Sequence, residues 1–251
     1  MNSIGIEVCC NSLESAINAQ KGGAHRVELC SNLYEGGTTP SMGEISLARK
    51  KLHIKLNVLI RPRGGDFVYS RDEIDIIKRD ISFCKEIGVD GVVIGFLKPE
   101  GNIDTKLTKE IVELSKPMNV TFHRAFDMCK DPERALEEII EAGADRLLTS
   151  GIKNKAIDGV DNLASLVKIA DDRIIIMPGS GIRAENILEI IEKTGAKEYH
   201  VSERISVDSL MQFRRENIFM GGMPQIPEYE KKVIDSEKIS VIVDLVNRKG
   251  D

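Results

Sequence analysis

The sequence predicts a single (β/α)8 TIM barrel, and three observations carry that prediction. Eight short β-rich runs alternate with amphipathic helical stretches, 251 residues is the length of eight such units, and a weak motif recurs before every second strand. The motif reads Gly23-Ala24-His25-Arg26-Val27, Gly88-Val89-Asp90-Gly91-Val92, Gly143-Ala144-Asp145-Arg146-Leu147 and Gly195-Ala196-Lys197-Glu198-Tyr199. Each is a glycine that ends a helix and leads into a strand. Its fourfold spacing suits a closed barrel better than the fallback, an open doubly wound sheet.

The strands are expected near residues 4–9, 26–30, 55–61, 91–95, 119–123, 145–149, 173–177 and 198–202, with helices such as 72–87 and 131–142 between them. Helix-to-strand connections are tight, whereas 31–43 and 62–71, which follow the second and third strands, are long and glycine-rich. That asymmetry puts the functional mouth among the loops that follow the strands. Residues 203–235 show little helical or strand pattern but carry Met211, Phe213, Phe219, Met220 and Met223. A lid over the mouth, a subunit contact or packing along the flank would each account for so long a connection. A final helix is expected over 236–249, and the whole chain, 1–251, reads as one domain.

Composition narrows the function. A net charge of −5, a pI near 5.6 and scattered Lys and Arg give no basic stripe for nucleic acid or an anionic membrane. With no signal-peptide pattern and no long apolar run, a cytoplasmic protein is expected. Five cysteines without framework spacing fit a reducing compartment and no disulfides. The ligand should be small.

Strand parity sorts the candidate residues, because side chains two apart share a face. Val8, Val27, Leu29, Leu56, Val58, Ile60, Val92, Ile94, Val120 and Phe122 form the apolar face that meets the helices. The opposite parity holds Glu7, Cys9, Arg26, Glu28, Cys30, Asn57, Arg61, Thr121 and His123, which must point into the barrel. Buried charge needs partners, and Glu7 and Glu28 against Arg61 and Arg26 offer them. Arg26, at its strand's start, is assigned to structure. Glu7, Glu28 and His123 are the acid–base candidates, with His123 expected to titrate near neutrality. Asp127 reads as a helix cap together with Asp131.

An anion would be held by Arg61 and Arg124 and by two glycine-rich turns, through Ser150 and Gly151 and through Gly179, Ser180 and Gly181. The same turns also serve any tight strand-to-helix connection. Neither matches a nucleotide fingerprint, so no nucleotide cofactor is expected. Cys9 and Cys30, on neighbouring strands, can share one soft ion such as Cu(I), or be inert buried thiols. With no Cys-x-x-Cys and no His-x-x-x-His, a zinc site is not expected.

Six ordered stretches resemble the CutC family of copper homeostasis proteins: 22–31, 35–41, Ile60-Arg61-Pro62-Arg63-Gly64-Gly65-Asp66-Phe67, Thr121-Phe122-His123-Arg124-Ala125-Phe126-Asp127, Leu148-Thr149-Ser150-Gly151 and Met177-Pro178-Gly179-Ser180-Gly181-Ile182. The likeness runs from Glu7 to Ser202 and fades in the tail. It implies a cytoplasmic barrel associated with copper homeostasis, a Cu(I) site at Cys9 and Cys30, and assembly into homo-oligomers. The residues alone also support an enzyme acting on a small anionic or phosphorylated substrate, in which His123 and Glu28 share proton transfer. The bland alternative is a scaffold whose polar interior merely fills the barrel.

Overall fold

Alternate side chains of eight parallel strands turn toward one axis, and the strands close around it. The computed structural model describes residues 4–223 and 225–250, so residues 1–3, 224 and 251 of the expected domain lie outside the described residues. The strands are β1 (Gly5–Cys10), β2 (Arg26–Leu29), β3 (Lys55–Leu59), β4 (Gly91–Ile94), β5 (Asn119–Phe122), β6 (Arg146–Thr149), β7 (Ile175–Pro178) and β8 (Glu198–Val201). They pair in parallel in the order β7-β6-β5-β4-β3-β2-β1-β8, and a parallel bridge between Gly179 and His200 joins the two ends. A Cβ at Gly179 would lie 2.5 Å from Leu148 Cδ1 and 3.2 Å from His200 Cβ, so the seam needs a residue without a side chain.

The covering helices are α1 (Leu13–Lys21), α2 (Met42–Lys51), α3 (Arg71–Glu86), α4 (Thr105–Ser115), α5 (Pro132–Ala142), α6 (Val160–Ala170), α7 (Ile187–Thr194) and α8 (Ser236–Gly250). Local chemistry sets their ends. Ser70 and Glu73 form a reciprocal capping box on α3, and Asp131 caps α5 ahead of Pro132. Gly143 and Gly195 stop α5 and α7 in the left-handed conformation, at φ 87° and 65°.

The apolar parity set packs beneath these helices, none of it more than 1% exposed. Burying each such side chain contributes about 1.5–3 kcal/mol. No helix among the described residues is long and apolar enough to cross a membrane.

The inward parity set builds a charged layer instead. Arg26 pairs with Glu7 and, at 2.5 Å, with Glu198; Arg146 pairs with the same Glu198 at 2.6 Å. Asn57 donates to Glu7 at 3.4 Å and Arg146 to Thr121 at 3.4 Å. Strands from opposite sides of the barrel are thus cross-braced. Arg26 has the structural place that its position suggested.

The tail departs from expectation. Within 203–235 lie two paired strands, β9 (Arg204–Asp208) and β10 (Glu230–Ile234), antiparallel from Arg204 opposite Ile234 to Asp208 opposite Glu230. Each is short, and its partner is distant in sequence, so no local turn signal announces the pair. Between them Leu210 is 99% and Met220 84% exposed, and Phe213 and Phe219 are exposed as well. Packing along the flank is therefore not their role, and none of them lines the main cavity.

The shared carboxylate yields a test. Glu198→Ala leaves Arg146 with no carboxylate partner among the described residues and should lower the unfolding free energy by about 3 kcal/mol in urea denaturation. Burial pushes the Glu198 carboxyl up, but Arg146 and Arg26 outweigh it and hold it below its ordinary value. Its contribution is therefore present above the unfolded value of about 4.3 and lost as pH falls through the lower folded value. Glu198→Gln should flatten that acid limb of the stability profile.

Candidate functional site

A cavity of about 690 Å³ opens among the loops that follow the strands. Cys9, Glu28 and His200 line its deep end, and Arg61, Phe67 and His123 stand among its walls. The strand register explains the deep end: Cys9 lies opposite Glu28 across β1 and β2, and Glu7 opposite His200 across β1 and β8.

The two thiols predicted to face inward come together. Cys9 Sγ and Cys30 Sγ are 3.8 Å apart, packed with Leu59 and Val93 in a small cluster inside the barrel. The Cys30 thiol, donating to Cys9, holds the Cys9 thiol well below the usual range against the opposing effect of burial, and His200 and Arg204 add to it. The same bond, with burial, pushes Cys30 up. Of the two thiols, Cys9 is the one shifted toward the thiolate and Cys30 the one shifted toward the protonated form. Cys10, of opposite parity, is pushed up by burial, as is Cys84, to about 12.

His200 is the residue that the sequence reading missed. Its Nδ1 is 2.8 Å from Glu7 Oε1 and its Nε2 is 3.8 Å from Glu28 Oε2. Burial opposes its charge, but Glu28, Cys9 and Glu7 raise it well above the ordinary imidazole range. The signal was present: Tyr199 and Val201 pack in the outer shell, so Glu198 and His200 share the inner face. Burial pushes the Glu28 carboxyl up, and the nearby Cys9 and Glu7 add to this against His200. Burial would raise Glu7 too, but Arg26 and His200 keep it well below the carboxylate range. Glu7 is fully buried behind His200 and does not line the cavity. Ligand atoms of Cys9, Glu28 and Cys30 lie within 4.8 Å of one another, as do those of Glu7, Glu28 and His200.

His123 takes a different form from the one expected. Its Nδ1 accepts the Ala125 N–H at 3.1 Å, which places the proton on Nε2. Burial and the nearby Arg61 lower the imidazole to about 3, so it is neutral rather than titrating near pH 7. It is a donor, and Nε2 has no partner. Gly95 makes room for the ring, since a Cβ there would lie 2.3 Å from His123 Cε1.

Arg61 does not pair with Glu7 or Glu28. β3 ends at Leu59, and the Arg61 side chain is drawn to the long loops, donating to the carbonyls of Glu35 and Gly37 at 2.8 Å each and of Gly65 at 2.6 Å. Its Nε is buried without a partner. The turn after β6 does form an anion cradle, but the protein fills it. The Asp127 carboxylate accepts from the Ser150 N–H at 3.1 Å, the Ile152 N–H at 3.1 Å, Thr149 Oγ1 at 2.5 Å and Arg124 Nε at 2.7 Å. Ser150 and Arg124 are thereby committed, and Asp127 is no helix cap. The Gly151 N–H goes to Thr149 Oγ1 and the Gly179 N–H to the Thr149 carbonyl. Ser180 Oγ donates to the Asn154 carbonyl at 2.7 Å, and Ser180 and Gly181 both adopt positive φ in a tight connection. None of Ser150, Gly151, Gly179, Ser180 or Gly181 lines the main cavity.

Comparison with known proteins agrees with this frame. A model of the CutC family matches residues 4–205. The chain is 50% identical over 239 residues to a CutC family protein of Parabacteroides distasonis, covering 95% of this chain and 98% of that one. It is 46% identical over 241 residues to the human copper homeostasis protein cutC homolog, covering 96% of this chain and 88% of that one. A solved structure of Streptococcus agalactiae assigned to the copper homeostasis protein CutC superposes with a TM-score of 0.75 at 37% identity, over 78% of this chain and 97% of that one. Phosphoribosylanthranilate isomerase of Thermotoga maritima, at 16% identity and a TM-score of 0.57 over 99% of this chain and 100% of that one, shares the barrel fold alone. With a matching family model over most of its length and relatives at this identity, the chain belongs to the CutC family.

Proposed function

We propose that this chain is a cytoplasmic copper-handling protein that binds Cu(I) through Cys9 and Cys30, and that it works as a homo-oligomer. The observation that carries the copper site is the 3.8 Å separation of the two sulfurs at the deep end of the cavity. At a thiolate–metal distance of about 2.3 Å, both sulfurs reach one ion at an S–ion–S angle of roughly 110°. Thiolate ligands select Cu(I). Both ligands bind as thiolates, so the arriving ion displaces the thiol protons, the Cys9 thiol being the more acidic of the two. Cys9 meets the cavity and Cys30 lies behind it, fully buried, so an ion enters from the cavity side.

Five free cysteines support a reducing compartment, where Cu(I) is the stable copper ion. The exposed apolar side chains between β9 and β10 support contact with a second copy of the chain. The names of the relatives place them in copper homeostasis, and that supports the same process here.

Titration of the reduced protein with Cu(I) against a competing chelator should give one site per chain. Cys9→Ala and Cys30→Ala should each weaken it by more than about a hundredfold, beyond the 10–100-fold typical of outer-shell residues. Cys84→Ala should leave it unchanged, and wild-type affinity in the double cysteine variant would refute the site. Thiol reactivity gives a second check. At neutral pH a small alkylating reagent should label Cys9 ahead of half-exposed Cys129, whose thiol is pushed up to about 11. Bound Cu(I) should protect Cys9, as read by peptide mass spectrometry.

A further inference from the structure

One ion at Cys9 would occupy only a corner of the cavity. About 690 Å³ is the size of a small-molecule pocket, and much of its wall is apolar, with Leu59, Phe67, Leu97 and Leu148 suited to a carbon skeleton. One wall side chain carries a buried N–H donor with nothing to donate to, His123 Nε2, while neighbouring Arg61 has the Tyr69 hydroxyl beside it. His123 and Arg61 are both more than nine-tenths buried, at 6% and 5% exposure. They flank one aromatic ring: Arg61 Cζ is 5.0 Å and the His123 ring 5.1 Å from the Phe67 centroid. A buried donor without an acceptor costs about 1–3 kcal/mol, so one in the cavity wall favours a ligand that supplies an acceptor.

The charges around the cavity state what else that ligand carries. Arg124 is committed to Asp127, and three donors of Arg61 are committed to loop carbonyls. Lys98 is exposed at the cavity and has no ion-pair partner among the described residues. An acid group is the natural partner for that ammonium. His123, neutral and donating, suits an uncharged carbonyl or hydroxyl oxygen, as a neutral imidazole polarises a carbonyl without transferring a full charge.

We propose that the cavity binds a small oxo- or hydroxy-acid, its carbonyl or hydroxyl oxygen accepting from His123 Nε2–H and its acid group lying toward Lys98. This goes beyond copper binding and stands without it. The test therefore uses reduced, copper-free protein, so failure of the copper site leaves it intact. Calorimetric titration would compare pyruvate and lactate with propionate, which lacks the second oxygen, and with inorganic phosphate, which lacks the carbon skeleton. Pyruvate or lactate should bind about tenfold more tightly than either control. His123→Phe should abolish the advantage over propionate, Lys98→Ala should weaken every organic acid about tenfold, and Lys98→Arg should restore them. Because His123→Phe alters a buried site and can disturb folding, the unsubstituted protein supplies a second readout. The 15N-coupled Nε2–H signal of His123 should move downfield as pyruvate or lactate is added. Equal binding of propionate, binding of phosphate as tight as that of the oxo-acid, an unmoved His123 signal, or indifference to Lys98→Ala would each overturn the proposal.

Discussion

The cost of placing charge inside a barrel governs the rest of this structure. Half of the strand side chains must point inward, and here they include Glu7, Arg26, Glu28, Arg146, Glu198 and His200. Isolated, each would be too costly to keep ionised. Assembled, they form a sequence of dependencies. Arg26 holds Glu7 as a carboxylate, Glu7 with its neighbours keeps His200 protonated, and His200 adds to the stabilisation of the Cys9 thiolate. The chemistry at the cavity's deep end is thus set by an ion network that begins one layer below it. The thiolate depends on residues that a reading of the cavity alone would omit.

The loops show the same accounting at the mouth. Asp127 supplies the anion for the turn after β6, and Arg61 supplies the cation for the carbonyls of the long loops. Groups whose chemical type suggested ligand binding are spent on fixing the loops in place. Among the described residues, four buried side-chain atoms remain unsatisfied, Arg61 Nε, the Tyr69 hydroxyl, His123 Nε2 and Arg204 Nε, and of these His123 Nε2 belongs to the cavity wall without a neighbouring acceptor. In a protein interior where nearly every buried polar group is paired, such remainders carry more information than the charged residues that find partners.

Strand parity made much of the site legible from sequence. It separated Val8 from Glu7 and Cys9, and Leu29 from Glu28 and Cys30, because on a pleated strand a one-residue step exchanges the faces. It put the two thiols on neighbouring strands facing the same way, and in the structure their sulfurs lie 3.8 Å apart. The same rule, carried to the last strand, reaches His200. Other features lay outside any local pattern. Arg61 follows the end of β3, where parity no longer fixes direction, and its partners are backbone carbonyls that no residue type announces. The His123 tautomer depends on the Ala125 amide, and its neutrality on burial, neither of which is visible in the motif. β9 and β10 pair across a long excursion whose ends meet only because both strands dock beside the barrel, Asn18 donating to the Ile234 carbonyl and Arg204 to the Cys9 carbonyl.

A thiol pair inside a barrel poses a problem of access, and the cavity's shape bears on it. Cys30 is fully buried, and Cys9 is 8% exposed and meets solvent only through the cavity. An ion held between them can be exchanged only along that route, past the wall formed by Phe67, His123 and Arg61. A surface that hands an ion directly to another protein would place its sulfurs outside, as this chain does not. Were Cu(I) held at Cys9, its exchange would be tied to whatever fills the cavity, since the cavity is the route by which Cys9 meets solvent. A ligand that closed the route would slow release, and one that itself bound Cu(I) would carry the ion through it. The interior placement that argues against simple protein-to-protein transfer makes the cavity's occupant part of any copper exchange.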